Sequence, residues 1–193
     1  MVRTKNFDEK EVLQKAVGIF WDKGFNGTSM QDLVDGLGIS RSSLYDTFGG
    51  KHQLYLKALE SYKDTYGIYQ FAVTNESITA RAAVAQLLAL VADNLLSDER
   101  RRGCFMVNAG IELASHDNKV NDLVCQTEKQ LEQAFFKVVK KGQANGEISK
   151  DKDVLALARF LNNTVRGLNV LAKISSERQL FDDIIRVAVI VLD

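Results

Sequence analysis

Arg41, Ser42, Ser43, Tyr45 and Asp46 bring a guanidinium, three hydroxyls and a carboxylate into six consecutive positions. Leu44 and Phe48, four residues apart, would anchor one side of a short helix and leave that polar set on its flanks and outer face. A helix of this kind offers donors and acceptors to the DNA major groove when a neighbouring helix holds it at a fixed angle. Lys51 adds a cation where the next helix opens. A lysine in a first turn opposes the helix dipole at a cost of about 0.3–1 kcal/mol, so cation and helix N-terminus together would suit a phosphate. Taken alone, a solvated lysine is the simpler account of that position.

Other reactive groups are sparse. Cys104 follows Arg100, Arg101, Arg102 and Gly103, where nearby cations and a helix start would favour the thiolate and make a redox sensor. Packing is the simpler account, because free cysteine is among the most buried residue types. Ser115, His116 and Asp117 are triad residue types, but adjacency along the chain is not triad geometry. Metal ligands are too few and no phosphate-cradling glycine loop occurs, so no metal, cofactor or enzymatic activity is expected. A second group of polar and aromatic side chains suits a small-molecule cavity. Tyr62, Tyr66 and Tyr69 fall on one helix, Phe105, Asn108, Glu112 and His116 on another. Asn162, Arg166 and Asn169 share a face of the penultimate helix. Each of these, taken singly, could equally face solvent or an interface.

The elements that must position these residues are readable from their punctuation. The spacing predicts a first helix from Asp8, with Glu11 completing a capping box and Phe7 and Val12 at staple positions. Val12, Leu13, Ala16, Val17 and Phe20 make its apolar stripe, Gly24 ends it, and Phe25 should fold back on the stripe before an Asn26-Gly27 turn. Thr28 with Gln31, or Ser29 with Asp32, caps the second helix, and the sequence leaves both registers open. Met30, Leu33, Val34 and Leu37 form its stripe, and Gly38 ends it. Ser40 caps the third helix, with Ile39 and Leu44 at the staple positions that fix its angle.

After Gly49-Gly50 a long helix should run from Lys51 to about Phe71, followed by helical segments near 77–97, 104–114, 118–145, 152–174 and 177–192. The fold class expected is all-α, about nine helices, consistent with the complete absence of proline. A boundary near Gly50 gives an N-terminal helix-turn-helix domain, 1–50, and a larger helical domain, 51–193, for ligand binding and dimerisation. The last segment is apolar almost all round from Ile184 to Leu192, and residues 154–171 carry a broad apolar surface. Helices like these need cover on more than one side, which predicts a subunit interface at the C-terminus.

The 193 residues carry 25 basic and 25 acidic side chains, and residues 1–60 also balance at eight of each. Any hold on nucleic acid must therefore come from local placement of Arg3, Lys5, Arg41, Lys51, His52 and Lys57. Two cysteines, Cys104 and Cys125, make no disulfide framework, and the N-terminus lacks a signal-peptide apolar region, so a cytoplasmic location is expected. The apolar run from Ala82 to Ala92 is too short to span a bilayer, and no membrane association is expected.

Residues 12–59, VLQKAVGIFWDKGFNGTSMQDLVDGLGISRSSLYDTFGGKHQLYLKAL, resemble the DNA-binding domain of the TetR/AcrR family of bacterial transcriptional regulators. The likeness is carried by Gly24-Phe25, Thr28-Ser29, Gly38-Ile39-Ser40, Leu44-Tyr45, Phe48, Lys51 and Leu54. Beyond residue 59 it lies mainly in length and helical layout, though Arg102-Gly103-Cys104-Phe105-Met106-Val107-Asn108 is similar to a stretch in one branch of the family. The resemblance implies a homodimer, for which the apolar pattern makes the two C-terminal helices the expected join, presenting two recognition helices to near-palindromic double-stranded operator DNA. A small-molecule inducer in the C-terminal domain would alter their spacing, in a repressor rather than an activator.

By position, Arg41, Ser42 and Ser43 with Gln31 would meet base edges, and Thr28, Ser29, Tyr45, Thr47 and Lys51 phosphates. Thr47 departs from the histidine often found two residues after the tyrosine. Arg41 could pair with both guanine acceptors in the major groove, or, as the first helical residue, touch phosphate only. The rival from another class is a helical small-molecule-binding or scaffold protein that keeps the fold without sequence-specific DNA binding, and the neutral charge speaks for it.

Overall fold

The computed structural model describes residues 7–66 and 78–193. Among the described residues there are nine helices and no strand: α1 Glu9–Lys23, α2 Met30–Leu37, α3 Arg41–Phe48, α4 Lys51–Tyr66, α5 Ala80–Ser97, α6 Phe105–Leu113, α7 Asn118–Ala144, α8 Val154–Ile174 and α9 Arg178–Ile190. The all-α expectation holds, and the helix boundaries fall within a few residues of those read from the sequence. The stretch expected to carry α4 on to Phe71 lies outside the described residues, as does Tyr69.

The chain separates into two compact units, Met1–Tyr66 with Phe105–Val124, and Gly67–Cys104 with Cys125–Asp193. The compact unit around the helix-turn-helix thus includes α4, α6 and the start of α7, a different division from the cut at Gly50. Its interior grows from the α1 stripe. Val12, Ala16, Val17 and Phe20 are buried against α2 and α4, with Leu33, Leu37, Leu44, Phe48, Leu54 and Leu59 completing the apolar set. Aromatic edges continue it: Phe20 meets Tyr55 at 5.0 Å, Tyr55 meets Phe105 at 5.5 Å, and Phe105 meets Tyr62 at 5.6 Å, all near perpendicular. Edge-to-face pairs of this kind add about 0.5–1.5 kcal/mol each beyond the area they bury.

Local hydrogen bonds settle the caps. Asp8 caps α1 by accepting from the Lys10 amide, whereas Glu11 pairs with Lys15 at 2.7 Å instead of completing a box. The α2 register is Ser29 with Asp32: each side chain accepts from the other residue's backbone N–H, at 3.0 and 2.8 Å. Gly38 and Gly49 end α2 and α3 in the left-handed region, at φ +69° and +80°, where a side chain would be strained. Between them Ser40 caps α3, and Ile39 and Leu44 are both buried, as a staple requires.

In the second unit α5, α8, α9 and the later part of α7 share one core, in which Leu88, Phe135, Leu161, Leu168 and Phe181 are fully buried. α7 approaches α5 closely at Gly142, where a Cβ would stand 2.7 Å from Ala80 Cβ. By length and composition alone the 18-residue α5 could cross a membrane, contrary to the shorter run counted in the sequence. Its apolar residues Val84, Leu87, Leu88 and Val91 are core here. The outer surfaces of α8 and α9 keep large apolar side chains: Phe160, Val170 and Ile174 on one, Leu180, Ile184, Val187 and Ile190 on the other.

Candidate nucleic-acid interface

α2 is the support and α3 the presented element. The Asp32 carboxylate takes the Ser29 amide and hydroxyl and the Lys23 ammonium, the last at 2.5 Å, so the end of α1 and the start of α2 share one charged node. The Lys23 hydrogen bond, followed by those from Ser29, holds the Asp32 carboxyl well below the usual carboxylate range. On α3, Leu44 and Phe48 are buried while Arg41, Ser42, Tyr45 and Asp46 are exposed and Ser43 and Thr47 half-buried. Three serine hydroxyls form a linked set, Ser40 Oγ lying 3.0 Å from Ser42 Oγ and 2.9 Å from Ser43 Oγ. The Tyr45 ring lies along Gly50, where a Cβ would come within 3.0 Å of it, so glycine there lets the tyrosine stand at the α3–α4 corner.

The remaining expected DNA contacts fall into three cases. Gln31 is exposed, and its amide donates to Asp35 at 2.7 Å. Thr28 is 0% exposed, and its hydroxyl donates to the Gly24 carbonyl at 2.6 Å. That corrects the phosphate role given to its side chain: the hydroxyl fastens the turn before α2. Lys51 is half-buried rather than free, with its ammonium 4.3 Å from the centre of the Phe25 ring. His52, grouped with the DNA-facing cations, instead places Nε2 2.5 Å from Asp117 Oδ2. Arg3 and Lys5 lie outside the described residues.

Residues 12–58 match the family described as bacterial regulatory proteins, tetR family, and residues 81–188 match the tetracyclin repressor-like C-terminal domain. The HTH-type transcriptional regulator YezE of Bacillus subtilis (strain 168) is 34% identical over 194 residues, covering 100% of both chains. The chain belongs to the TetR family. The HTH-type transcriptional repressor ComR of Escherichia coli (strain K12) is 30% identical over 172 residues, 89% of this chain and 82% of that protein. Among solved structures, a cysteine-substituted TetR-family regulator CifR complexed with 26-bp double-strand operator DNA has a TM-score of 0.87 at 30% identity, covering 99% of this chain and 100% of that one.

In this TetR-family chain the expected ligand-facing residues divide between the two units. In the first, Tyr62 and Phe105 are brought together but packed edge to face, with Trp21 also 4.9 Å from Tyr62. Asn108 is half-buried and His116 exposed. The side chain of Tyr66, like the whole of Tyr69, lies outside the described residues. Glu112 is a correction: both its carboxylate oxygens serve the backbone of the α1–α2 turn, at Phe25 and Asn26. In the second unit Asn162 and Asn169 are buried, and Arg166 is exposed and paired with Glu128. Asn162 donates to Glu128 at 3.1 Å, while its own oxygen is buried with no hydrogen-bond partner among the described residues. Cys104 is half-buried just before α6, and Cys125 is exposed on α7.

Glu128 was not singled out from the sequence, and Asp117 was named there only among triad residue types. Asp117 had a local signal, since it accepts from the Lys119 and Val120 amides at the start of α7 as an N-terminal cap does. Burial pushes its carboxyl up, but the His52 hydrogen bond and those two amides together hold it below the usual range.

Proposed function

We propose that this chain is a transcriptional repressor that binds double-stranded operator DNA as a homodimer and releases it when a small-molecule inducer binds. The observation that carries the reading is α3: Arg41, Ser42 and Tyr45 stand exposed on a helix whose opposite side is buried and whose angle is fixed by the Ser40 cap and the Ile39–Leu44 staple positions. Arg41 is the base-reading residue, with Ser42, Ser43 and Gln31 beside it. Ser29, Tyr45, Thr47 and Lys51 meet phosphates, Lys51 leaving the Phe25 ring to do so. Operator DNA in the CifR complex and repressor activity in ComR support this assignment. As a reader of chromosomal DNA the protein would work in the cytoplasm.

The dimer forms through α8 and α9, whose exposed Phe160, Val170, Ile174, Ile184 and Val187 need cover. The inducer binds in the C-terminal domain. There the buried Asn162 oxygen, lacking a partner among the described residues, would accept from a donor group on the ligand. A second reading, a scaffold without DNA binding, is favoured only by the charge balance of residues 1–60. Selecting bound sequences from random DNA at several salt concentrations, with and without candidate inducers, separates the two. A regulator yields a near-palindromic sequence whose affinity falls with salt, whereas a scaffold yields no preferred sequence.

A further inference from the structure

Glu112 sits in the last turn of α6, yet its carboxylate is spent on the turn that leads into α2. Oε2 accepts from the Phe25 N–H at 2.9 Å and Oε1 from the Asn26 N–H at 2.7 Å. Successive amides chelating one carboxylate make a two-point link, and each bond is strengthened by the charge on its acceptor. The turn is shaped around this group. A Cβ on Gly24 would lie 2.8 Å from Oε2, at a backbone φ of +73° that also disfavours a side chain. Immediately after the two amides come Thr28, which fastens the turn to Gly24, and Ser29, which caps α2. A shift of the Glu112 carboxylate therefore bears on the start of the supporting helix. Five residues further on, Asp117 grips the first turn of α4 through His52.

We propose that Glu112 is a positioning residue for operator binding: by chelating the Phe25 and Asn26 amides it sets the angle at which α2 and α3 are presented. This rests on the reading of α3 as the operator-reading helix. The neutral isostere cannot replace the link, because a glutamine turned to accept from one amide presents its own N–H₂ to the other.

The test uses the full chain and the DNA sequence that the wild type selects from a random pool. Glu112→Gln should bind that sequence about tenfold more weakly, the scale expected for losing a charged hydrogen-bond pair, with unchanged base preferences. Backbone amide exchange at Phe25 and Asn26 should accelerate, while amides of α5 and α8 exchange as in wild type. Gly24→Ala, which crowds the carboxylate without removing it, should give the same local signature. Wild-type affinity in Glu112→Gln would overturn the proposal whether or not the Phe25 and Asn26 exchange changes. So would global loss of protection in both Glu112→Gln and Gly24→Ala, which would make Glu112 a folding residue. If the wild type selects no sequence, the regulator reading fails, while the exchange measurements still report whether the link exists.

Discussion

Arg41 and Lys51 have opposite surroundings. Arg41 is exposed at the first position of α3, while the Lys51 ammonium rests over the Phe25 ring. Arg41→Ala should therefore relax preference at one operator position, at a cost of about 1–3 kcal/mol, measured by binding to single-base operator variants. Lys51→Ala should weaken all sequences alike and also lower stability by about 0.5–1 kcal/mol through the lost cation–π contact, read from denaturant midpoints. Asp32 makes a pH prediction. Its folded pKa is depressed, so its contribution to stability is complete above the unfolded value, about 4, and fades as the pH falls through the folded value. Asp32→Asn should separate most from wild type at neutral pH, with the two curves converging in acid. Asp117, depressed for its own reasons, acts in the same direction.

At the scale of elements, the punctuation of the first fifty residues was legible because its signals are local. Gly38 and Ser40 act within four residues of themselves, so type and spacing nearly determine the outcome. The choice of Ser29 over Thr28 as cap was not legible, since both hydroxyls suit the role and burial of Thr28 decided it. Ser29→Ala should destabilise the protein by about 1 kcal/mol, the usual cost of an N-cap, while Thr28→Ala acts through the turn instead. The link between Glu112 and the α1–α2 turn left no trace in the sequence. Its partners are 87 and 86 residues away, and they are main-chain amides, which carry no side-chain signature. The His52–Asp117 pair spans 65 residues and was hidden for the same reason of distance. Polar type alone therefore placed Glu112 with the ligand-facing residues, where its hydrogen bonds do not put it.

For the whole molecule, the proposed dimer through the apolar C-terminal helices would set whether one reading helix or two can meet DNA. Ile174 is 76% exposed and Val187 53%, on neighbouring helices that also expose Phe160, Val170 and Ile184. Val187→Glu puts a charge where a dimer would bury it, so the variant should sediment as a monomer and lose most operator affinity while α3 remains intact. Wild-type sedimentation as a monomer at micromolar concentration would remove this surface from the DNA-binding argument. The need for two heads follows from the first sixty residues, where acidic and basic groups cancel.

The exposed face of α3 carries one guanidinium, hydroxyls and the Asp46 carboxylate, beside a lysine whose ammonium rests on an aromatic ring. Few phosphates are neutralised by such a face, so DNA of the wrong sequence holds it weakly. On that reading the rest of the chromosome would be a shallow reservoir that soaks up little of the protein. If α3 reads the operator as proposed, few copies would keep an operator occupied, and each copy released by a ligand would return to solution rather than to neighbouring DNA.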